Sequence, residues 1–501
     1  MSDIFAKITE LERQGAFEQV IKLVKKEIET ETNLERKFQL EIVQLEANYN
    51  LRNFQQAKQR VERLIGQTTL KNYPTLLGNA HNLLGKIFRI HQRYKEALEH
   101  YKIAENAYKT GLDNLGLIKI NINIGNVHIF LENFKHAKKY HKKALDLSIS
   151  MKNQDLTANC NLNLGSLHYQ NGEVDKALNY YKNALKVFEE INDVPGLATV
   201  NLNIAETYFL RRNFIDSAKY SAKSIEYYKL QKNELGQILA LKSFAKAEKG
   251  VGNFENAVKS FEELIKMQDS SLNEDILLEL GECYLELGDQ SHAEEIYQIL
   301  RNSPNYSPQS RGYALNYLAT LSGKKRDYST SINYYLELWE ILKSLPFDDE
   351  NSKASTLGNL GFMYLKLEKE EEAFKSLKAA LNHFKNDKIW EDAFILINNF
   401  IGELFLKKDY LKCLSLVEEY SLPIAKKAKR KDLQAQFHSE IAFLHYLYGK
   451  SEKAISYWRK NCSKDSMERD KPLFTSHPDL SESEKKIFEE QLEAFFKLIS
   501  K

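Results

Sequence analysis

Residues Asn121–Leu145 read NINIGNVHIFLENFKHAKKYHKKAL, and the fold follows from that stretch. It divides into two short amphipathic helices broken at Glu132-Asn133. A small residue, Gly125, sits in the first helix; an aromatic ring follows at Phe134, and a second small residue, Ala137, lies in the second helix. Forty residues on, the pattern returns as NLNLGSLHYQNGEVDKALNYYKNAL with Gly165 and Ala177; forty residues back, Gly85, Tyr94 and Ala97 fill the same slots. Self-similarity at a fixed period of this size is the signature of a repeat architecture.

With the first small position as anchor, the series runs Ile8, Leu45, Gly85, Gly125, Gly165, Ala205, Ala245, Gly281, Ala319, Gly361, Ile401 and Ala442. Twelve residues after each anchor come Val20, Ala57, Ala97, Ala137, Ala177, Ser217, Ala257, Ala293, Ser331, Ala373, Cys413 and Ala454. Rings recur nine residues after most anchors (Phe54, Tyr94, Phe134, Phe214) and three after many (Phe88, His128, His168, Tyr208). A helix pair this short cannot bury its apolar face alone and stacks on its neighbours. Close crossings need the small side chains, and rings fill the space between crossings.

This register resembles the tetratricopeptide repeat, and the resemblance covers nearly the whole chain. Gly125, His128, Phe134 and Ala137 stand in that family's small and aromatic slots. The forty-residue spacing and the NIGN of Asn123–Asn126 are similar to the long-repeat subclass of Pins-type adaptors and kinesin light chains. NIGN decays to NLGS at Asn163, NIAE at Asn203 and NLGF at Asn359. The resemblance implies an all-α fold: a right-handed α-solenoid of about twelve helical hairpins with a C-terminal capping helix.

Charge is nearly balanced, at 71 Lys and Arg against 69 Asp and Glu, which argues against a general nucleic-acid or membrane-surface binder. The four cysteines are isolated and fit a reducing compartment. The N-terminus lacks the apolar core of a signal peptide, and no stretch approaches the roughly 20 apolar residues of a membrane span. A soluble, cytoplasmic protein is expected.

Along the chain, residues 1–70 read as degenerate N-terminal repeats and 71–268 as a regular array. Residues 269–353 read as irregular repeats with a possible hinge, where the register slips to 36 and 38 residues around two turn-rich segments. Repeats resume over 354–462, with Pro423 inside an expected second helix, which should kink or shorten it. Residues 463–501 read as a loop and a capping helix. That helix opens on a capping box, Ser481 with Glu484, and carries an apolar stripe of Ile487, Phe488, Leu492, Phe495 and Ile499.

Catalytic chemistry finds little footing. LGNAHNLLGKI around Gly78 and Lys86 has six residues between its glycines, Ile87 in place of a metal-binding hydroxyl, and a helical context, so it is not a phosphate loop. His128, His168 and His445 take a slot that other repeats fill with Phe or Tyr and read as core or groove-edge residues. No HExxH, zinc spacing or G-x-S-x-G occurs. No enzyme, cofactor or metal site is expected.

A different signal lies on the first helices. Positions i, i+4, i+7 and i+11 share one helical face. They give Asn79, Leu83, Lys86 and Ile90; Lys119, Asn123, Asn126 and Phe130; Asn159, Asn163, Ser166 and Gln170; and Thr199, Asn203, Glu206 and Leu210. In proteins of similar register this face lines a concave groove. Asparagine suits such a groove, because its amide both donates and accepts and can pair with any peptide backbone. The same asparagines could instead bond between repeats. Asn121, Asn161 and Asn201, two residues earlier, face away from this line and are expected to bond between repeats. Lys86, Lys119, Lys242 and Lys246 add positive charge, interrupted by Glu206.

The expected function is a non-catalytic interaction scaffold that binds an extended peptide or partner segment, acidic or amide-rich, without nucleic acid or membrane. The candidate contacts are Asn79, Lys86, Lys119, Asn123, Asn126, Asn159, Asn163, Asn203, Lys242 and Lys246. The alternative is a peptide-responsive regulator acting on a partner in trans. Oligomeric state is not legible.

Overall fold

Helices of seventeen residues joined by three-residue links build the regular part of the chain. In each link one residue takes the left-handed conformation: Gln92, Leu112, Glu132, Lys152, Gly172, Asn192, Arg212, Lys232 and Gly252, one every twenty residues. The next N–H then turns back to close the finished helix, as Asn133 N does on His128 O (2.8 Å) and Asp113 N on Tyr108 O (2.9 Å). Carbonyls that the helix end would leave unpaired are thereby satisfied. First helices are opened by side-chain caps at a forty-residue interval: Asp113 accepts from Gly116 N, Asn153 from Leu156 N, Asp193 from Gly196 N and Asn233 from Gly236 N.

The computed structural model describes residues 4–13, 15–267, 273–345, 349–462 and 482–499. Among them there is no strand, and the fold is an all-α solenoid in which the described residues form twelve hairpins and a final helix. It divides into two compact units, residues 1–269 and 270–501. The first unit contains α1 (Ile4–Arg13), α2 (Phe17–Thr30), α3 (Leu34–Asn50), α4 (Phe54–Ile65), α5 (Pro74–Ile90), α6 (Tyr94–Thr110), α7 (Asn114–Phe130), α8 (Phe134–Ser150), α9 (Gln154–Gln170), α10 (Val174–Ile191), α11 (Val194–Leu210), α12 (Phe214–Leu230), α13 (Glu234–Val251) and α14 (Phe254–Met267). The second contains α15 (Glu274–Glu286), α16 (Gln290–Asn302), α17 (Pro308–Lys324), α18 (Tyr328–Ser344), α19 (Glu350–Lys366), α20 (Glu370–Asp387), α21 (Trp390–Leu406), α22 (Tyr410–Leu416), α23 (Leu422–Lys427), α24 (Lys431–Leu447), α25 (Ser451–Asn461) and α26 (Glu482–Ile499). Pro74, Pro195 and Pro308 start helices, where a missing N–H costs nothing.

The anchor positions work by receiving a ring. A Cβ on Gly85 would lie 2.4 Å from the Tyr101 ring, on Gly165 2.4 Å from Tyr181, on Gly125 2.7 Å from His141 and on Gly281 2.8 Å from Tyr297. A second set of rings, at the ends of second helices, presses on the next first helix: Tyr108 on Gly116, Phe188 on Gly196, Tyr228 on Gly236. Where the second small slot is polar, it bonds to the anchor's carbonyl. Ser217 Oγ donates to Ala205 O (2.8 Å), Ser331 Oγ to Ala319 O (2.7 Å), and Cys413 Sγ lies 3.5 Å from Ile401 O. Ring pairs twelve residues apart stack at every hairpin from α5 to α12: Phe88 on His100, His128 on Tyr140, His168 on Tyr180 and Tyr208 on Tyr220. His168 and His445 are buried and His128 half-buried, as their register implies.

Pro423 does disturb its helix. Between α22 and α23 the chain takes a wide π turn, Val417–Ser421, in which Leu422 N reaches back to Val417 O. That extra residue makes room for the proline ring, which a regular helix would drive into the preceding carbonyl. At the end of the chain, Leu492, Phe495 and Ile499 of α26 are buried, and Phe495 packs on Phe443, Tyr446 and Trp458, so this stripe covers the last hairpin. Ile487 stays exposed. The expected loop 463–480, the Ser481–Glu484 capping box and the Phe488 side chain lie outside the described residues, as does part of the turn at 344–353.

Candidate functional site

In the first unit each first helix packs also on the next first helix, α3 on α5, α5 on α7, α7 on α9, α9 on α11 and α11 on α13. Second helices approach each other less closely among the described residues, so the stack is tighter on its first-helix side. Two electrostatic observations fit a concavity there. Glu206 is exposed, yet the surrounding protein raises its carboxyl pKa by desolvation. Glu12 on α1 is raised by burial and by Glu46 on α3, and is opposed by Lys119 on α7. Glu46 and Lys119, on helices far apart in sequence, therefore both lie within electrostatic reach of Glu12. Glu46 was not singled out from sequence, although it follows anchor Leu45 as Lys86 follows Gly85 and Asn126 follows Gly125.

The asparagines on this face do not behave alike. Asn123 Nδ2 donates across the hairpins to Asn82 Oδ1 at 2.8 Å. Asn163 and Asn203 find Ile122 and Leu162 in the register position of Asn82, and neither apolar side chain can accept. Asn163 turns instead to Asn159 O in its own helix (2.7 Å). Asn159 binds back to Asp155 O (3.0 Å), and Asn79 accepts from the Tyr108 hydroxyl at 2.8 Å. Asn126 and Asn203 are half-buried and make no side-chain hydrogen bond among the described residues.

Lys119 is exposed, whereas Lys86, Lys242 and Lys246 are half-buried; Lys86 Nζ lies 5.9 Å from the Tyr49 ring centroid. Residues 51–250 carry 30 Lys and Arg against 18 Asp and Glu, so this run is positive while the whole chain is nearly neutral. Ile90, Phe130 and Leu210 expose apolar surface at one end of the face, and Leu235 and Leu239 do so on α13. Phe130 stacks on Tyr94 at 5.6 Å.

Asn121, Asn161 and Asn201 depart from expectation. Each donates to a carbonyl four residues back in its own helix: Leu117 O (2.6 Å), Thr157 O (2.9 Å) and Leu197 O (2.7 Å). All three are buried, and the backbone of the preceding turn is the acceptor that a short side chain reaches first. Gly78 and Lys86 sit within α5, with Gly78 against the Tyr108 ring, a helical setting without a phosphate loop. Among the described residues no cluster of His, Cys, Asp and Glu could hold a metal, and no helix is long and apolar enough to cross a membrane.

Residues 116–190 and 156–229 match one family model of the tetratricopeptide repeat, and residues 243–307 match another. No curated protein matches the sequence. Among solved structures, the chain is similar to the apo form of RapI, at 15% identity over 75% of this chain and 97% of that one, with a TM-score of 0.47. A Rap protein complexed with competence and sporulation factor follows at 13% identity over 76% and 97%, TM-score 0.42. The apo quorum sensor NprR from B. thuringiensis is similar at 15% identity over 75% and 95%, TM-score 0.33.

Proposed function

Because the chain belongs to the tetratricopeptide repeat superfamily, we propose that it is a protein-interaction scaffold whose first-helix face from α5 to α13 holds an extended peptide. The observation that carries this reading is the pair Asn126 and Asn203, polar amides on the tighter side of the stack that no group among the described residues satisfies. Packed helices lie roughly 8–10 Å apart, and an extended peptide rises about 3.3 Å per residue. Each first helix therefore meets about every third residue of the peptide. An amide serves that contact because backbone N–H and C=O recur with any sequence. Lys86, Lys119, Lys242 and Lys246 favour an acidic segment. The exposed Phe130, Leu210, Leu235 and Leu239 offer apolar contacts to its other side chains.

The test is affinity capture from source-cell lysate with wild type beside an Asn126→Ala, Asn203→Ala double variant, then titration of the captured segment as a synthetic peptide. Two backbone hydrogen bonds are worth about 0.5–1.5 kcal/mol each, so the double variant should lose about 5- to 150-fold in affinity. Unchanged affinity would move recognition away from this face. Asn123→Ala serves as the comparison, since Asn123 is already committed to Asn82. Peptide-induced protection from hydrogen exchange confined to α5–α13 fits a scaffold; protection spreading to other hairpins would favour a regulator acting on a partner in trans.

A further inference from the structure

At three hairpins of the first unit a ring stands at the end of the second helix and presses on the next first helix, Tyr108, Phe188 and Tyr228, whereas α8 carries the buried Ser148 in that place. Tyr108 lies between Gly78 and Gly116, each of which would meet it with a Cβ at 2.8 Å or closer. The Tyr108 hydroxyl donates to Asn79 Oδ1 at 2.8 Å and lies beside the Asn82 amide. Phe188 and Tyr228 occupy the same register, against Gly196 and Gly236. In the second unit this register position on α18 is Leu342, twenty-three residues after anchor Ala319 as Tyr108 is after Gly85. Gly312, the counterpart of Gly78, then has only a Leu338 methyl within reach, at 3.4 Å. What remains is a cleft of about 330 Å³ between α17, α18 and α19. Its floor is Gly312, Leu338 and Leu342, and its rim carries Asn316, Ser352 and Ser355.

Asn316 stands three residues before its anchor, where Asn82 stands before Gly85. The cleft therefore keeps the counterpart of Asn82, the amide beside the Tyr108 hydroxyl, has Tyr313 in the place of Asn79, and among the described residues has no ring in the place of Tyr108. We propose that it receives the side chain of a tyrosine from an extended partner segment, with the phenol ring on Gly312 and Leu342 and the hydroxyl at the Asn316 amide. The volume is roughly twice the ~150 Å³ apolar cavity in which benzene is held, which leaves room for the polar edge. Asn316 and Tyr313 are exposed, so among the described residues the cleft is open to a segment from outside. Ser352 and Ser355 on the rim can bond to that segment's backbone. The proposal does not rest on the α5–α13 face, and its test leaves that reading untouched either way.

The experiment is methyl NMR on the full chain, following the leucine methyls of the cleft during titration with p-cresol, toluene and N-acetyl-tyrosine-N-methylamide. Saturable shifts at Leu338 and Leu342 with p-cresol are expected, with a Kd on the order of 1 mM. The capped tyrosine should bind at least as tightly, and toluene about 3- to 10-fold more weakly. Leu342→Tyr puts the missing ring in place and should abolish all three. Asn316→Leu, at an exposed position that does not endanger folding, should remove the preference for p-cresol over toluene. The proposal is overturned by an absence of saturable shifts in wild type, by equal binding of p-cresol and toluene, or by undiminished binding in Leu342→Tyr. Exclusion of the capped tyrosine by a cleft that still takes p-cresol would overturn the polypeptide source.

Discussion

His141 ties the stability of the α7–α8 hairpin to pH. It stands over Gly125 as Tyr101 and Tyr181 stand over Gly85 and Gly165, but it is a fully buried imidazole with neither ring nitrogen bonded. Burial lowers its pKa from 6.5 to about 4. Folded, it resists a proton that the unfolded chain accepts. Stability is therefore intact above the unfolded pKa and falls as pH drops from about 6.5 toward 4. A shift of that size is worth about 3 kcal/mol in full, of which about 2 kcal/mol is lost between pH 7 and pH 5. His141→Tyr installs the ring used by the neighbouring hairpins. Its hydroxyl would approach Asn126, as the Tyr181 hydroxyl donates to Ser166 Oγ at 3.2 Å. Since a solenoid need not unfold in one step, the assay is local hydrogen exchange of α7 and α8 at both pH values, corrected for intrinsic rates. Wild type should lose about 2 kcal/mol of opening free energy and the variant under half of that. The residual slope would belong to His128, which burial and His136 also lower. An equal loss in both proteins would refute the argument.

Two further substitutions should move stability in opposite directions. Gly165→Ala gains up to about 1 kcal/mol in helix propensity. It also forces a Cβ against the buried Tyr181 ring at 2.4 Å, an overpacking that costs about 1–3 kcal/mol. Hydrogen exchange of α9 and α10 should quicken, and slower exchange would mean that the ring yields freely. Leu112→Gly relieves a left-handed, exposed leucine (φ 51) at a link, a conformation costing an L-residue about 1–2 kcal/mol. The urea midpoint should rise, and a fall would mean that Leu112 contributes packing that offsets its strain.

The repeat was readable because each of its parts is local. A three-residue link, a helix cap at Asp113, Asn153, Asp193 and Asn233, and a small residue forty positions apart are all written within one hairpin. The glycine–ring partnership was half legible: the glycines stood out, but the rings that need them are sixteen residues on, in a different helix. The asparagine line was legible as a row of like residues, yet their bonding was not. Asn123 and Asn203 look equivalent in sequence and differ because one bonds to Asn82 across a helix contact, while the register position of Asn82 opposite the other is Leu162, which offers no acceptor. Two signals were present and passed over: Glu46 in register with Lys86, and Leu342 in the slot of Tyr108.

Periodicity thus determined by itself that this chain is a stack of helical hairpins, since a short amphipathic pair has no other way to bury its face. Which polar groups on that stack are free was decided only by tertiary structure. Whether an amide is spent or available depends on what lies a few ångströms away on the next helix, forty residues off in sequence. Among the described residues Asn126 and Asn203 have no side-chain partner, Asn79 and Asn123 are engaged, and a cleft stands where Leu342 falls short of a ring. Hydrogen bonding and close packing act at contact distance, and contacts between repeats are set by how the helices stack.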